Sequence, residues 1–193
     1  MNIILFFGSF NPIHLGHIII ANETLISEKA DELWFVISPQ NPFKENKQLA
    51  DQQYRKDLID EICKEYKMLK TCDIEFNMPK PSYTSDTMKA LEIKYKEEHK
   101  YKILIGSDNL EKLHLWKNID HLTNQYEFLK FPRNTYRQQN TEIKNCRLID
   151  APMIEISSTL IRSRILNDIP YKHLLHPSTY NLLQKTDTYK HII

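Results

Sequence analysis

Cysteine is scarce. Cys63, Cys72 and Cys146 are three in 193 residues, an odd number with no C-x-x-C pair. That excludes a disulfide framework and a zinc site built on paired thiolates, and it fits reduced thiols in a cytoplasmic protein. An excess of either charge is also missing. The 26 Lys and Arg residues face 25 Asp and Glu, leaving a net charge of +1, whereas a nucleic-acid binder carries a basic surplus. No apolar run is long enough to span a bilayer. The apolar start has no basic leader and is interrupted by Gly8 and Pro12, so it reads as a first strand and not as a signal peptide. Repeats and low-complexity segments are absent. His99, His114, His121, His173, His176 and His191 have no ligand-like spacing to carboxylates or cysteines, and no protein-held metal is assigned. What remains is enough for a core: 41% of the residues are hydrophobic and 26% charged. The length is that of one domain, residues 1–193.

Short apolar runs alternate with longer amphipathic stretches. Strands are expected at 3–7, 33–38, 72–76, 102–105, 126–131 and 146–149. Helices are expected at 15–29, 52–66, 84–97, 110–116, 158–167 and 178–185. In the second helix Leu58, Ile59 and Ile62 mark the buried face, and Arg55, Lys56, Asp60 and Lys64 the other. Residues 134–144 read as a polar loop, and the tail 189–193 as a fraying end. Strands separated by helices imply βαβ units: an α/β, Rossmann-like, doubly wound parallel sheet with a small C-terminal helical segment. Ligands of such a sheet sit beyond the carboxyl ends of its strands, near the switch point.

Glycine is rarer still for the chain's size. Two of only three glycines fall in one stretch, Gly8-Ser9-Phe10-Asn11-Pro12-Ile13-His14-Leu15-Gly16-His17, directly after the first apolar run. A strand entering a tight turn and then a helix presents unpaired N–H groups and a positive dipole end, which suits phosphate. Two imidazoles at that helix start add donors able to follow charge on a phosphoryl group. A second string, Ile156-Ser157-Ser158-Thr159-Leu160-Ile161-Arg162, has a Ser157 or Ser158 helix cap, with Arg162 one turn further on as a fork of phosphate donors. Gly106-Ser107-Asp108 follows a strand. The glycine lets backbone approach a ligand, and Asp108 can accept the hydroxyls of a ribose. Trp116 offers an indole face to a planar heterocycle, while Trp34 sits inside a strand run and belongs to the core.

The first string resembles the signature of the nucleotidylyltransferase superfamily, whose members move a nucleoside monophosphate from an NTP to a small acceptor. The second resembles that superfamily's I-S-S-T-x-I-R motif. Residues 82–87, Ser-Tyr-Thr-Ser-Asp-Thr, together with Trp116, resemble bacterial nicotinate-mononucleotide adenylyltransferases in particular. The resemblance implies transfer of AMP from ATP to nicotinate mononucleotide, with deamido-NAD and pyrophosphate as products and Mg2+ delivered with ATP. It assigns catalysis to His14, His17 and Arg162. It places ATP against Gly8, Ser9, Phe10 and Gly16, against Gly106 and Asp108, and against Ile156, Ser157, Ser158 and Thr159. The mononucleotide falls to Asn41, Lys44, Tyr83, Thr84, Trp116 and Arg133. Two positions depart from the pattern: Phe43 stands where a His is frequent and Lys112 where a Tyr is frequent. Other readings are a sister enzyme acting on nicotinamide mononucleotide or pantetheine phosphate, and a non-catalytic nucleotide sensor. A tRNA synthetase fragment is disfavoured, because no K-M-S-K-S-like loop is present. No nucleic-acid or membrane partner is expected, and a homo-oligomer stays open.

Overall fold

The computed structural model describes residues 1–40, 49–96, 98–106, 113–132 and 143–191. Its centre is a six-stranded sheet: β1 (Asn2–Gly8), β2 (Glu32–Ile37), β3 (Leu69–Cys72), β4 (Lys100–Gly106), β5 (Glu127–Phe131) and β6 (Cys146–Leu148). The spatial order is β3-β2-β1-β4-β5-β6, and every pairing is parallel. That is the doubly wound Rossmann order, with its switch point between β1 and β4.

Period-two alternation on β1 sends Ile4 and Phe6 to one side of the sheet and Ile3 and Leu5 to the other, and all four are buried. On the first side they meet α1 (Leu15–Glu28), α2 (Gln52–Cys63), α5 (Ser158–Leu166), α6 (Pro177–Leu183) and the residue Tyr189 of α7 (Thr188–His191). On the second side Met88 and Leu91 of α3 (Thr84–Tyr95) and Leu122 of α4 (Ile119–Gln125) close the core, with Trp34 among them as expected. Both faces are covered, which is why the strands read as continuous apolar runs. Asp51 caps α2 by accepting from the N–H groups of Gln53 and Tyr54.

Four expectations need correction. The third strand lies at Leu69–Cys72, and most of the run 72–76 instead forms a 3-10 turn, Ile74–Asn77. Alternating Ile74 and Phe76 imitate a strand, but Glu75 between them is buried and bonded to side chains of the next segment. The described part of the run 110–116 is a 3-10 turn over residues 113–115. The tail does not fray from 189: Tyr189 is 2% exposed and α7 packs on the core. Arg55, placed on the polar face of its helix, is fully buried. The expected loop at 134–144 lies largely outside the described residues. The three cysteines are free, and burial pushes the Cys63 and Cys72 thiols up to about 11.

Candidate active site

The turn after β1 has its carbonyls held from four directions. Gly8 O accepts from Ser38 N–H at 3.0 Å. Ser9 O accepts from Arg55 Nη1 at 2.5 Å, Asn11 O from Arg162 Nη1 at 2.8 Å and Pro12 O from Ser158 Oγ at 2.8 Å. In a planar trans peptide the following N–H points opposite to its carbonyl. Drawing the Gly8, Ser9 and Pro12 carbonyls into protein therefore turns the N–H groups of Ser9, Phe10 and Ile13 away from those partners. Asn11, 4% exposed, adds a side-chain anchor: its Oδ1 accepts from Ala50 N–H at 3.1 Å. The bend itself passes through Phe10 at φ 44°. The Phe10 ring goes inward and stands edge-on to Phe6, Phe35 and His17. At 2% exposure its side chain is core, which leaves only its main chain for a ligand. Gly8 makes room for that ring, because a Cβ there would lie 2.8 Å from Phe10 Cζ.

The two histidines open α1. Their rings stack at 3.7 Å with planes 25° apart. His14, the N-cap residue, is 2% exposed, and its N–H donates to His17 Nδ1 at 3.3 Å. With Nδ1 accepting, the proton of the neutral His17 ring resides on Nε2, the nitrogen remote from the helix backbone. Gly16 is buried under this pair. A Cβ there would stand 3.0 Å from His14 Nδ1 and 3.2 Å from Ile154 Cγ2.

The C-terminal motif docks on this turn. Ser157 is the N-cap of α5 and accepts from Leu160 N–H at 3.1 Å, whereas Ser158 reaches across to Pro12. The capping role therefore belongs to Ser157. Ser158 and Arg162, one helical turn apart, lay the flank of α5 along the turn that carries the histidines. Arg162, half-buried, also lies within 3.5 Å of Thr159 Oγ1. Burial pulls its guanidinium down from the usual value, with Tyr189 acting in the opposite sense. Between the two motifs opens a cleft of about 230 Å3, its solvent mouth included, lined by His14, His17, Gly16, Ile154, Ile156, Phe6, Ile20 and Phe131. Gly106 ends β4 next to β1, in register with Phe131.

On the other side of the switch point, residues 82–87 and Trp116 come together. Tyr83 is the N-cap residue of α3, and no side chain caps this helix. Lys117 bonds Asp86 at 2.8 Å and lies 5.1 Å from the centre of the Tyr83 ring, so it fastens the turn bearing Trp116 to the start at Thr84. Trp116 is partly buried, edge-on to Phe128 at 6.4 Å. Beneath this start lies Glu75, which the sequence reading did not single out. Its carboxylate accepts from Ser82 Oγ at 2.5 Å and Thr87 Oγ1 at 2.7 Å. Burial raises its pKa, against the lowering effect of hydrogen bonds from Ser82, Thr87 and Ser38. The only sequence clue was an acidic residue inside an otherwise apolar alternation. Asn41, Lys44, Asp108, Lys112 and Arg133 lie outside the described residues, as does Phe43. Among the described residues no group of three or more His, Cys, Asp or Glu side chains could hold a metal ion.

Residues 5–164 match the cytidylyltransferase-like family. A protein of Flavobacterium johnsoniae is 37% identical, with the alignment covering 98% of this chain and 100% of the relative. One from Cytophaga hutchinsonii is 39% identical, covering 95% of each. Both are named as a probable nicotinate-nucleotide adenylyltransferase. Among solved structures, the Plasmodium falciparum nicotinic acid mononucleotide adenylyltransferase complexed with NaAD superposes with a TM-score of 0.81 at 21% identity, over 97% of both chains. Its complex with APC gives 0.78 at 22% identity, over 97% of this chain and 96% of that one. These likenesses establish the shared fold. A parallel sheet of this order, two phosphate-type motifs docked on one another and relatives aligned end to end lead to one assignment: the chain belongs to the cytidylyltransferase-like family and, within it, to the nicotinate-nucleotide adenylyltransferases.

Proposed function

We propose that this chain transfers AMP from ATP to nicotinate mononucleotide, releasing pyrophosphate and forming deamido-NAD for NAD synthesis. The observation that carries the reading is the docking of α5 on the β1 turn, through Ser158 to Pro12 and Arg162 to Asn11. It ties an arginine-bearing helix to the turn that carries the histidine pair, which supports transfer at an α-phosphate with a leaving pyrophosphate. The attacking 5′-phosphate is ionised at neutral pH, its second pKa being roughly 6, so no general base is needed. His17 Nε2–H and His14 stabilise charge at the α-phosphate in the in-line transition state. Arg162 and the start of α5 hold the pyrophosphate. Mg2+ arrives as part of the ATP substrate, bound by phosphate oxygens. The nicotinate ring stacks on Trp116, and the N–H groups at the start of α3, near Thr84, receive its carboxylate. The chain works in the cytoplasm; among the described residues no helix is long and apolar enough to cross a membrane.

The test is pyrophosphate release from ATP with nicotinate mononucleotide, nicotinamide mononucleotide and pantetheine phosphate as alternative acceptors. The expected kcat/KM favours the acid over the amide by on the order of 10²–10³, because a carboxylate accepts from every donor while the amide presents its own N–H2. Pantetheine phosphate should give no product. Equal rates with acid and amide would overturn the carboxylate pocket, and turnover of pantetheine phosphate would overturn the acceptor assignment.

A further inference from the structure

Arg55 lies on α2, inside the protein and fully buried. All four of its described hydrogen bonds go to main-chain carbonyls. Nη1 donates to Ser9 O at 2.5 Å and to Ser38 O at 2.9 Å, Nε to Ala50 O at 3.0 Å and Nη2 to Pro39 O at 3.5 Å. Ser9 belongs to the turn after β1. Ser38 and Pro39 follow β2, and Ala50 precedes α2. A planar fork of five donors can engage several carbonyls at fixed angles; an ammonium cannot. A cation taken out of water is costly unless its partners are well placed, and burial lowers this guanidinium to about 10, with Tyr189 and Asp51 opposing the shift. It is still charged at neutral pH. An apolar side chain of the same volume would leave these carbonyls without their side-chain donor, so the arginine is tied to the geometry of the segments that carry them.

We propose that Arg55 is a positioning residue that sets both substrate loops at once, a reading that rests on the proposed reaction. One guanidinium fixes the β1 turn on the ATP side and also Pro39 and Ala50, which bracket in sequence the residues Asn41 and Lys44 that the resemblance assigns to the mononucleotide. By drawing the Ser9 carbonyl inward it turns the Phe10 N–H outward. By drawing in the Pro39 carbonyl it does the same for Gln40 N–H. Its charge also lies directly behind the turn that would face phosphate, and adds a permanent positive potential there. The two loops thus share one anchor, and a disturbance at Arg55 reaches both substrates.

The experiment compares wild type, Arg55→Lys and Arg55→Ala. Steady-state kinetics are run against each substrate with the other saturating, and ATP affinity is measured by calorimetry without the acceptor. All measurements are made at a low temperature where circular dichroism shows native structure. A displacement near 1 Å costs on the order of 10²-fold, so Arg55→Lys should lose about that factor in kcat/KM for ATP and for the mononucleotide alike. Millimolar guanidinium should restore part of the activity of Arg55→Ala by refilling the site. Wild-type kinetics in folded Arg55→Lys would overturn the proposal and leave a structural role. So would a loss confined to one substrate, or a failure of both variants to fold. Should the wild type make no deamido-NAD, the reaction itself is misassigned. The role of Arg55 is then judged by ATP affinity alone, which must fall in Arg55→Lys; an unchanged affinity overturns it.

Discussion

Ser158 Oγ donates to the Pro12 carbonyl at 2.8 Å, across 146 positions of chain. Four residues further along α5, Arg162 repeats the contact on Asn11 O at 2.8 Å. Arg162 is therefore both a strut of the turn and the group expected to meet pyrophosphate. Arg162→Lys keeps the charge but loses the planar fork. The kcat/KM for ATP should fall on the order of 10- to 100-fold, the equivalent of one charged hydrogen bond. An unchanged value would assign Arg162 to the scaffold alone.

His17→Ala removes the donor whose tautomer the His14 N–H sets. Turnover should fall by about 10²–10³, the range for one preorganised donor to a transition state, with little change in KM for either substrate. Near-normal kcat with a large rise in the KM for ATP would make His17 a ground-state binder.

Gly16→Ala should separate helix stability from activity. Alanine is the better helix former by about 1 kcal/mol, yet its Cβ would press on His14 Nδ1 and Ile154 Cγ2 at 3.0 and 3.2 Å. His14 must shift, so kcat should fall by roughly tenfold or more. The check is kcat alongside the unfolding midpoint; full activity would show that the His14 ring position is not critical.

Glu75→Gln tests the buried carboxylate under α3. Burial raises its folded pKa above the ordinary 4.5. Between that value and the raised one the folded state binds more protons than the unfolded state, so this group's contribution to stability falls as pH rises. Relative to wild type, Glu75→Gln should therefore gain stability as pH rises from the ordinary 4.5 through the raised value, read from denaturation midpoints of both proteins. A pH-independent difference would mean that the carboxylate titrates alike in the two states. Its bonds to Ser82 and Thr87 also predict a weaker affinity for the mononucleotide in the variant, measured by calorimetry.

The parallel, doubly wound sheet was legible because its strands are buried on both sides and carry unbroken apolar runs; β1, β2, β4 and β5 show it most strongly, while the spatial order of the strands came from the structure. The first phosphate-type motif was legible because it holds two of the chain's three glycines beside two histidines, and the second because its string as a whole resembles a known motif. What was hidden depends on contacts distant in sequence. Glu75 interrupts an apolar alternation, and only Ser82 and Thr87 account for its burial. Arg55 follows a helical polar stripe, and only the carbonyls of four other residues draw it inside. The helix α4 starts from Asn118 at φ 56° with no side-chain cap, and has only Ile119 and Leu122 as apolar residues, too little to register as a period. The last turn reads as polar apart from Tyr189, whose ring lies 6.1 Å from that of Tyr54 on α2.

The β1 turn borrows its partners from β2, α2 and α5, and this links ligand affinity to the order in which the chain assembles. A chain folded only as far as β3 has both glycines and both histidines but lacks Ser158 and Arg162. Partly folded forms therefore carry the motif without the contacts that fix it, and nucleotide is expected to distinguish the finished molecule from them. Saturation with ATP at about 100 times its dissociation constant adds about 2.7 kcal/mol to global unfolding. Because the turn is tied to both halves of the sheet, that increment slows hydrogen exchange throughout the core, not merely in the residues that touch the ligand.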